Sequence, residues 1–449
     1  MEQELAALTE RLAALESASA MSGTINSEIF YWWCTALMIA IHAGFLAYEM
    51  GASRVKNVLA SGIKNILAFA FMVPTFYFFG WYIYLSFYNG FLPAEDASGW
   101  PWEMSMGPNL ADNATGIFWA AFTLFAATTA SIFSGAVIER IQTAGFLILA
   151  ILLGSVVWIL GGAWGWHPAG WLTVKWGYHD VGAAGVVHMV AGFFALGVLI
   201  NLGPRVGKFN ADGSANAIKA HNVPFTITGL MLIIVGFFGF LGGCIIYMPG
   251  EQWINIYGQP ATLSAFAFNT LMGMAGGIIG AWVKTRDPFW MMSGALIGIF
   301  CAASGLDVYY PPLAFLLGTF GGFVVPMVAV KLEKMGIDDA VGAFPVHGIG
   351  GLIGVVACGI FASGYPNVIE GAPPVNFFGQ VGGAIVMGLL GFIPGYVASY
   401  ILKVFGLLRV PDHIQVLGLD VVKVPVEAYP ESYITGPVTT TDPMPTPAE

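Results

Sequence analysis

The chain has 449 residues, 57% of them hydrophobic and only 9% charged, with a formal net charge of -10. A soluble globular chain carries about 25% charged residues, so the composition excludes one and places this chain in lipid. The apolar runs are continuous, which also excludes a membrane β-barrel, whose strands alternate apolar and polar residues.

Residues 1–28 open on MEQELAALTERLAALESASA, with Leu5, Leu8, Leu12 and Leu15 at helical spacing. Glu4, Glu10 and Glu16 interrupt the apolar positions and no basic n-region is present, so the segment is not a signal peptide. It reads as an extramembrane amphipathic helix with a self-associating face shorter than three heptads.

About eleven runs follow that are long enough to cross a bilayer as helices, which takes roughly 20 residues. They lie near residues 29–49, 66–89, 114–138, 143–163, 181–202, 223–246, 261–283, 289–305, 313–332, 345–363 and 377–403, so that 29–404 is one eleven-helix domain. Fourteen of the 16 Lys and Arg residues occupy every second gap. Arg54, Lys56 and Lys64 follow the first run; Arg140, then Arg205, Lys208 and Lys219, then Lys284 and Arg286, then Lys331 and Lys334 fill alternate gaps; Lys403, Arg409 and Lys423 follow the last. Cytoplasmic loops retain positive charge. The expected topology therefore has the N-terminus outside and the C-terminus inside, as a multi-pass protein of the plasma (inner) membrane.

Glu95, Asp96, Glu103, Glu251 and Glu370 fall in the other gaps. Cys34, Cys244, Cys301 and Cys358 lie within or at the ends of runs with no CxxC, and read as small buried apolar residues rather than a zinc site or disulfide framework. Residues 405–449 are a cytoplasmic tail, expected to be disordered beyond about 431, where Thr and Pro accumulate. Nothing indicates a cofactor, a nucleic-acid partner or an enzyme's nucleophile.

Ionisable groups at membrane depth are costly and therefore point to function. Three histidines lie in the apolar runs: His42, His188 and His347. Two of them belong to a repeat. Asp180-Val-Gly-Ala-Ala-Gly-Val-Val-His188-Met-Val-Ala-Gly192 matches Asp339-Ala-Val-Gly-Ala-Phe-Pro-Val-His347-Gly-Ile-Gly-Gly351 in the Asp, the Val before the His, the His, and the Gly four residues on. The copies open the fifth and tenth runs, which cross in opposite directions. This is a 5+5 inverted repeat plus one helix, an architecture whose site lies near mid-membrane. Each Asp sits where a helix N-terminus stabilises a carboxylate, and each His lies about 12 Å deeper at about 1.5 Å per residue. Paired imidazoles offer a donor and an acceptor and titrate near neutrality, which suits a small polar solute or a proton.

The chain resembles the Amt/Rh/methylammonium permease ammonium transporters from about Ile29 to Tyr429. The carrying segments are Ala43-Gly44-Phe45 with Glu49-Met50-Gly51, Arg54-Val-Lys56-Asn57-Val58, Gly135-Ala-Val-Ile-Glu139-Arg140-Ile141, the two Asp-to-His segments, His221-Asn222-Val-Pro224 and Phe238-Gly239-Phe240. The resemblance implies a homotrimer of eleven-helix protomers, each with a narrow hydrophobic pore for ammonium/ammonia or methylammonium. It implies that His188 and His347 line that pore, that Phe125 and Phe240 close its outer mouth, and that Asp180 supports the outer recruitment site structurally or electrostatically. Either Trp164 or Trp166 corresponds to the mouth tryptophan.

Departures from the family pattern cluster at the mouth. Phe122 stands where a glutamine is common, Leu241 replaces an asparagine, and Cys244 replaces a serine of the recruitment site. Each loses hydrogen-bonding capacity, so weaker recruitment of the cation is expected. An ammonium sensor and an Rh-like neutral ammonia channel are the alternatives. Phe118, Trp119, Phe122 and Phe237 are assigned to packing or lipid contact. His42 replaces a frequent glutamine and is expected to hydrogen-bond Glu49, with a proton-accessible group near the inner vestibule as the alternative. In the tail, Gly418-Leu419-Asp420 and Ala428-Tyr429 match the family's regulatory motif, but Val424 and Pro425 replace its usual His-Gly. That change weighs against coupling between protomers and against a PII-type regulator.

Overall fold

The computed structural model describes residues 2–95, 97, 115–247 and 253–430. Asp96, Glu103 and Glu251, and the disorder expected beyond about 431, lie outside the described residues.

Among the described residues, ten helices are long and apolar enough to cross a membrane. They are α1 (Glu2–Ala52), α2 (Val55–Ser86), α3 (Gly116–Ala136), α4 (Thr143–Gly165), α5 (Ala184–Leu202), α6 (Val223–Gly242), α7 (Leu263–Thr285), α9 (Pro311–Lys334), α10 (Phe344–Phe361) and α11 (Phe377–Val404). Between α7 and α9 lies α8 (Pro288–Ala303), apolar but shorter. Their starts follow ordinary capping chemistry, in which a side-chain oxygen accepts an orphan backbone N–H. Asn222, Thr262, Asp287 and Asn376 cap α6, α7, α8 and α11 in this way. Among the described residues the architecture is helical apart from one antiparallel ribbon, β1 (Ile245–Tyr247) and β2 (Trp253–Asn255).

The basic gaps meet at one end of the bundle. Arg54 donates to Glu139, Arg205 pairs with Asp338 at 2.8 Å, Arg409 donates to the Leu202 and Pro204 carbonyls, and Lys208 pairs with Glu333. The remaining gaps meet at the other end, where Trp171 donates to the Tyr88 carbonyl, His179 and Asn255 both reach Asp307, and Gln259 donates to the Pro366 carbonyl. Helix α8 joins the two ends, since Phe289 near its start faces Tyr48 and Ser304 just past it bonds Asp180.

From Glu2 onward the N-terminal helix runs into the first apolar run without a break, so that α1 is one helix of 51 residues. Two sequence expectations need adjustment. Lys64, expected in a gap, lies on α2 and is buried, which is tolerable because it pairs with Glu49 at 3.1 Å and donates to the Ser134 carbonyl. His42 does not bond Glu49, whose carboxylate is taken by Lys64 and Ser134; it lies against Ser131 and the Phe69 ring instead. All four cysteines are buried. The tail as far as residue 430 packs on the basic end through α12 (Asp412–Leu417) and α13 (Leu419–Lys423), with Asp420 capping the Leu59 and Ala60 N–H groups.

Candidate functional site

The two repeat copies share one backbone device. At the third residue after each Asp the chain turns left-handed, at Ala183 (φ 69°) and Gly342 (φ 73°). Next comes a π-helical turn, Ala184–Met189 in α5 and Phe344–Ile349 in α10, and each carries its histidine. Wide turns of this kind are frequent at functional sites. Each Asp side chain holds the turn open from below. Asp180 accepts from Gly185 N at 2.8 Å and Val186 N at 2.9 Å; Asp339 accepts from Ala343 N at 2.9 Å and Phe344 N at 2.8 Å. Asp180 has two further donors, the Ser304 hydroxyl at 2.6 Å and the Tyr178 hydroxyl at 3.1 Å. Its carboxylate is thus fully engaged and wholly buried.

The device brings His188 and His347 together, with Nδ1 to Nδ1 at 3.1 Å. One ring must donate and the other accept, so the neutral pair holds opposite tautomers. Protonating both rings would set two N–H groups against each other. The glycines four residues after each histidine make the approach possible: a Cβ at Gly192 would strike the backbone of Gly348, and one at Gly351 would strike the Ala184 carbonyl. His188 Nε2 is buried and meets no hydrogen-bond partner among the described residues. Such an atom costs about 1–3 kcal/mol when left unsatisfied, a cost that functional sites tend to carry.

Aromatic rings lead away from the pair in one direction. Phe240 lies 5.8 Å from His188 by ring centroids, and Phe125 lies 4.0 Å from Phe240 with its plane tilted 37°. Trp166 meets Phe125 edge-on at 5.7 Å and donates its indole N–H to the Asp180 carbonyl at 2.7 Å. Trp164 lies elsewhere, with its N–H on the Phe87 and Gly90 carbonyls. Of the two tryptophans, only Trp166 joins the aromatic cluster around Phe125. Cys244 is buried, and its thiol donates to the Phe240 carbonyl at 3.6 Å. In the other direction His347 borders a cavity of about 20 Å³ with Phe45, Tyr48, Ile132 and Val346, room for one water-sized solute.

Sequence reasoning passed over several participants. Phe300 stacks on His188 at 3.8 Å and reaches His347 at 4.8 Å. Phe237, assigned to packing or lipid, lies 5.6 Å from His188, and both Phe237 and Phe122 are buried rather than lipid-facing. Trp158 stacks on Phe125 with an interplanar angle of 11°. No spacing rule separates these rings from the rest of the chain's 34 phenylalanines and 14 tryptophans. Ser304 and Tyr178, the hydroxyl partners of Asp180, were equally silent.

The Arg–carboxylate ion pairs lie at the basic end. Burial alone would raise the carboxyls of Glu139 and Asp338, but hydrogen bonds from Arg54 to Glu139, and the Arg140 charge with Arg205 bonds to Asp338, hold both below the usual carboxylate range. Among the described residues, no group of three His, Cys, Asp or Glu could hold a metal ion.

Comparison with known proteins identifies the family. The family model described as Ammonium Transporter Family matches residues 29–429. The chain is 31% identical to ammonium transporter Amt2 of Archaeoglobus fulgidus, covering 90% of this chain and 88% of that one. It is 30% identical to ammonium transporter Amt1 of Methanocaldococcus jannaschii, with 90% and 96% covered. A solved structure titled Sensor Amt Protein superposes with a TM-score of 0.77 at 25% identity, over 89% of this chain and 98% of that one.

Proposed function

The chain belongs to the Ammonium Transporter Family, an integral multi-pass membrane family of transporters and not of enzymes, and from that premise we propose how it moves ammonium. Ammonium or methylammonium meets an aromatic mouth built from Phe125, Phe240 and Trp166, with Asp180 fixing the backbone behind it and Cys244 beside it. An ammonium ion over aromatic faces gains about 0.5–2 kcal/mol from cation–π attraction. Carrying its charge onward through an apolar bore costs several kcal/mol or more. The ion therefore loses its proton at the mouth, neutral ammonia passes the histidine pair, and the proton moves separately along the imidazoles. In this reading α8 crosses the membrane as the eleventh span, the basic end is cytoplasmic, the N-terminus is outside, and three copies assemble with one pore each.

The observation that carries the reading is the 3.1 Å contact between His188 and His347 from the two inverted copies. It supports a polar relay in an otherwise apolar interior that only a small neutral solute fits. The test is ammonium or methylammonium flux into proteoliposomes. Wild-type protein should exceed empty vesicles, and the double variant His188→Ala with His347→Ala should not; equal flux from both proteins would overturn the proposal.

A second reading, ammonium sensing by the same fold, draws on the buried apolar mouth at Phe122, Leu241 and Cys244 and on the likeness to the sensor structure. It predicts ammonium binding without flux. An Rh-like neutral ammonia channel with weak cation recruitment is set apart by whether methylammonium competes with ammonium as external pH varies.

A further inference from the structure

Helix α1 continues well beyond the bundle. Gly23 and Ser27 are buried against the rest of the molecule, whereas every residue from Gln3 to Ser22 is exposed. At about 1.5 Å per residue this is a free rod of about 30 Å. It needs no nucleation of its own, because it propagates from a helix already formed. Along it runs a stripe of Leu5, Leu8, Leu12 and Leu15, exposed by 65%, 60%, 57% and 67%. Their 3-4-3 spacing is that of successive a and d positions of a heptad, which seat as knobs between parallel helices.

We infer that this rod is the interface of a parallel coiled coil between the N-terminal helices of neighbouring copies of this chain. The partner follows from the charges. With Leu5 at a, Arg11 falls at g and Glu16 at the following e, the two positions that form salt bridges between parallel strands. Parallel alignment is imposed because all copies in one membrane present their N-termini on the same side. The main rival occupant is the bilayer surface. A surface helix carries a Lys- and Arg-rich polar face, but residues 3–22 hold one basic residue, Arg11, against Glu4, Glu10 and Glu16. Lying on the surface would also require a bend, and α1 has no break between the rod and the bundle. Leucine at both a and d leaves the strand number to the membrane body. The inference rests on the proposed assembly of copies and goes beyond it, by assigning a role to a segment outside the family match, which begins at residue 29.

Full-length protein in proteoliposomes provides the test, since the four native cysteines are buried. Under mild oxidation, Leu12→Cys on the stripe should form intermolecular disulfides at least about tenfold faster than Ser17→Cys on the opposite face, the a position being at the seam. Arg11→Glu should slow the Leu12→Cys reaction, and adding Glu16→Arg should restore it. Equal rates at the two cysteines would overturn the inference, as would quenching of a fluorophore at residue 12 by labelled lipid. Native mass spectrometry reads the assembly of the membrane body separately. A trimeric body without a selective seam sinks this inference and leaves the transport reading standing, while loss of flux control by the histidines does the reverse.

Discussion

The two copies of the repeat use the same local geometry in opposite surroundings. Around Asp180 the turn is held by four donors, including Ser304 and Tyr178, and leads to an uncharged aromatic cluster. Around Asp339 it is held by two backbone N–H groups and adjoins Asp338, Arg140 and Arg205. A left-handed residue, a π-turn and a histidine at the eighth position are thus the features the two copies share. What surrounds the device decides what each copy faces: one an aromatic cluster, proposed above as the cation-attracting lid, the other a network of fixed charges.

The comparison is broken most severely at the histidines. If the two rings form one relay, His188→Ala and His347→Ala should be nearly equivalent, because each leaves the other's Nδ1 unpaired. An unpaired buried group costs about 1–3 kcal/mol, which, if it falls on the transport barrier, corresponds to roughly a five- to 150-fold fall in methylammonium flux. A variant that retains full flux in only one copy would mean that the copies act independently.

The carboxylates should separate the copies. Asp180→Ala strands four donors and Asp339→Ala two, so the first is expected to destabilise the protein by about 3–5 kcal/mol and the second by about 1–3 kcal/mol. Denaturation of purified protein in detergent ranks them; equal losses would show that the Ser304 and Tyr178 bonds add nothing.

Much of this device was legible beforehand, for a physical reason. A His inside an apolar run is expensive, so its repetition at a fixed spacing from an Asp stands out against the lipid-like background. The basic residues were legible as a topological signal, yet their second use was not: Arg140 and Arg205 are buried and tie α3, α5 and the loop before α10 together through Glu139 and Asp338. Phe300 was unreadable because one ring among many carries no periodic mark, and its value comes from lying against both imidazoles. The tryptophan pair stayed ambiguous because α4 ends between Trp164 and Trp166, sending one indole to the segment just after α2 and the other to Asp180.

The left-handed residues offer a finer contrast. Ala183 has a Cβ at positive φ and Gly342 does not, and that conformation costs an L-residue about 1–2 kcal/mol. Ala183→Gly should therefore be neutral or stabilising by up to about 1 kcal/mol, the relief being partly offset by added freedom in the unfolded chain. Gly342→Ala should destabilise by about 1–2 kcal/mol, with the new methyl also pressed against the Trp290 ring. Opposite signs in the same denaturation assay would establish that both copies need the left-handed turn.

The smallest expected effect concerns the aromatic lid itself. Phe122 touches Phe125 and Trp166, and Cys244 lies beside Phe240 with its thiol on that residue's carbonyl. Phe122→Gln together with Cys244→Ser would introduce an amide and a hydroxyl where the cluster is now apolar. If recruitment of the cation limits transport, each new hydrogen bond is worth about 0.5–1.5 kcal/mol, so the apparent affinity for methylammonium should rise by up to about tenfold per bond. Maximal flux should stay near that of the wild type, because the histidine relay is untouched. A fall in affinity would instead mean that the ring lost at position 122 contributes more cation–π attraction than the polar groups supply, and that the apolar lid is the recruiting surface.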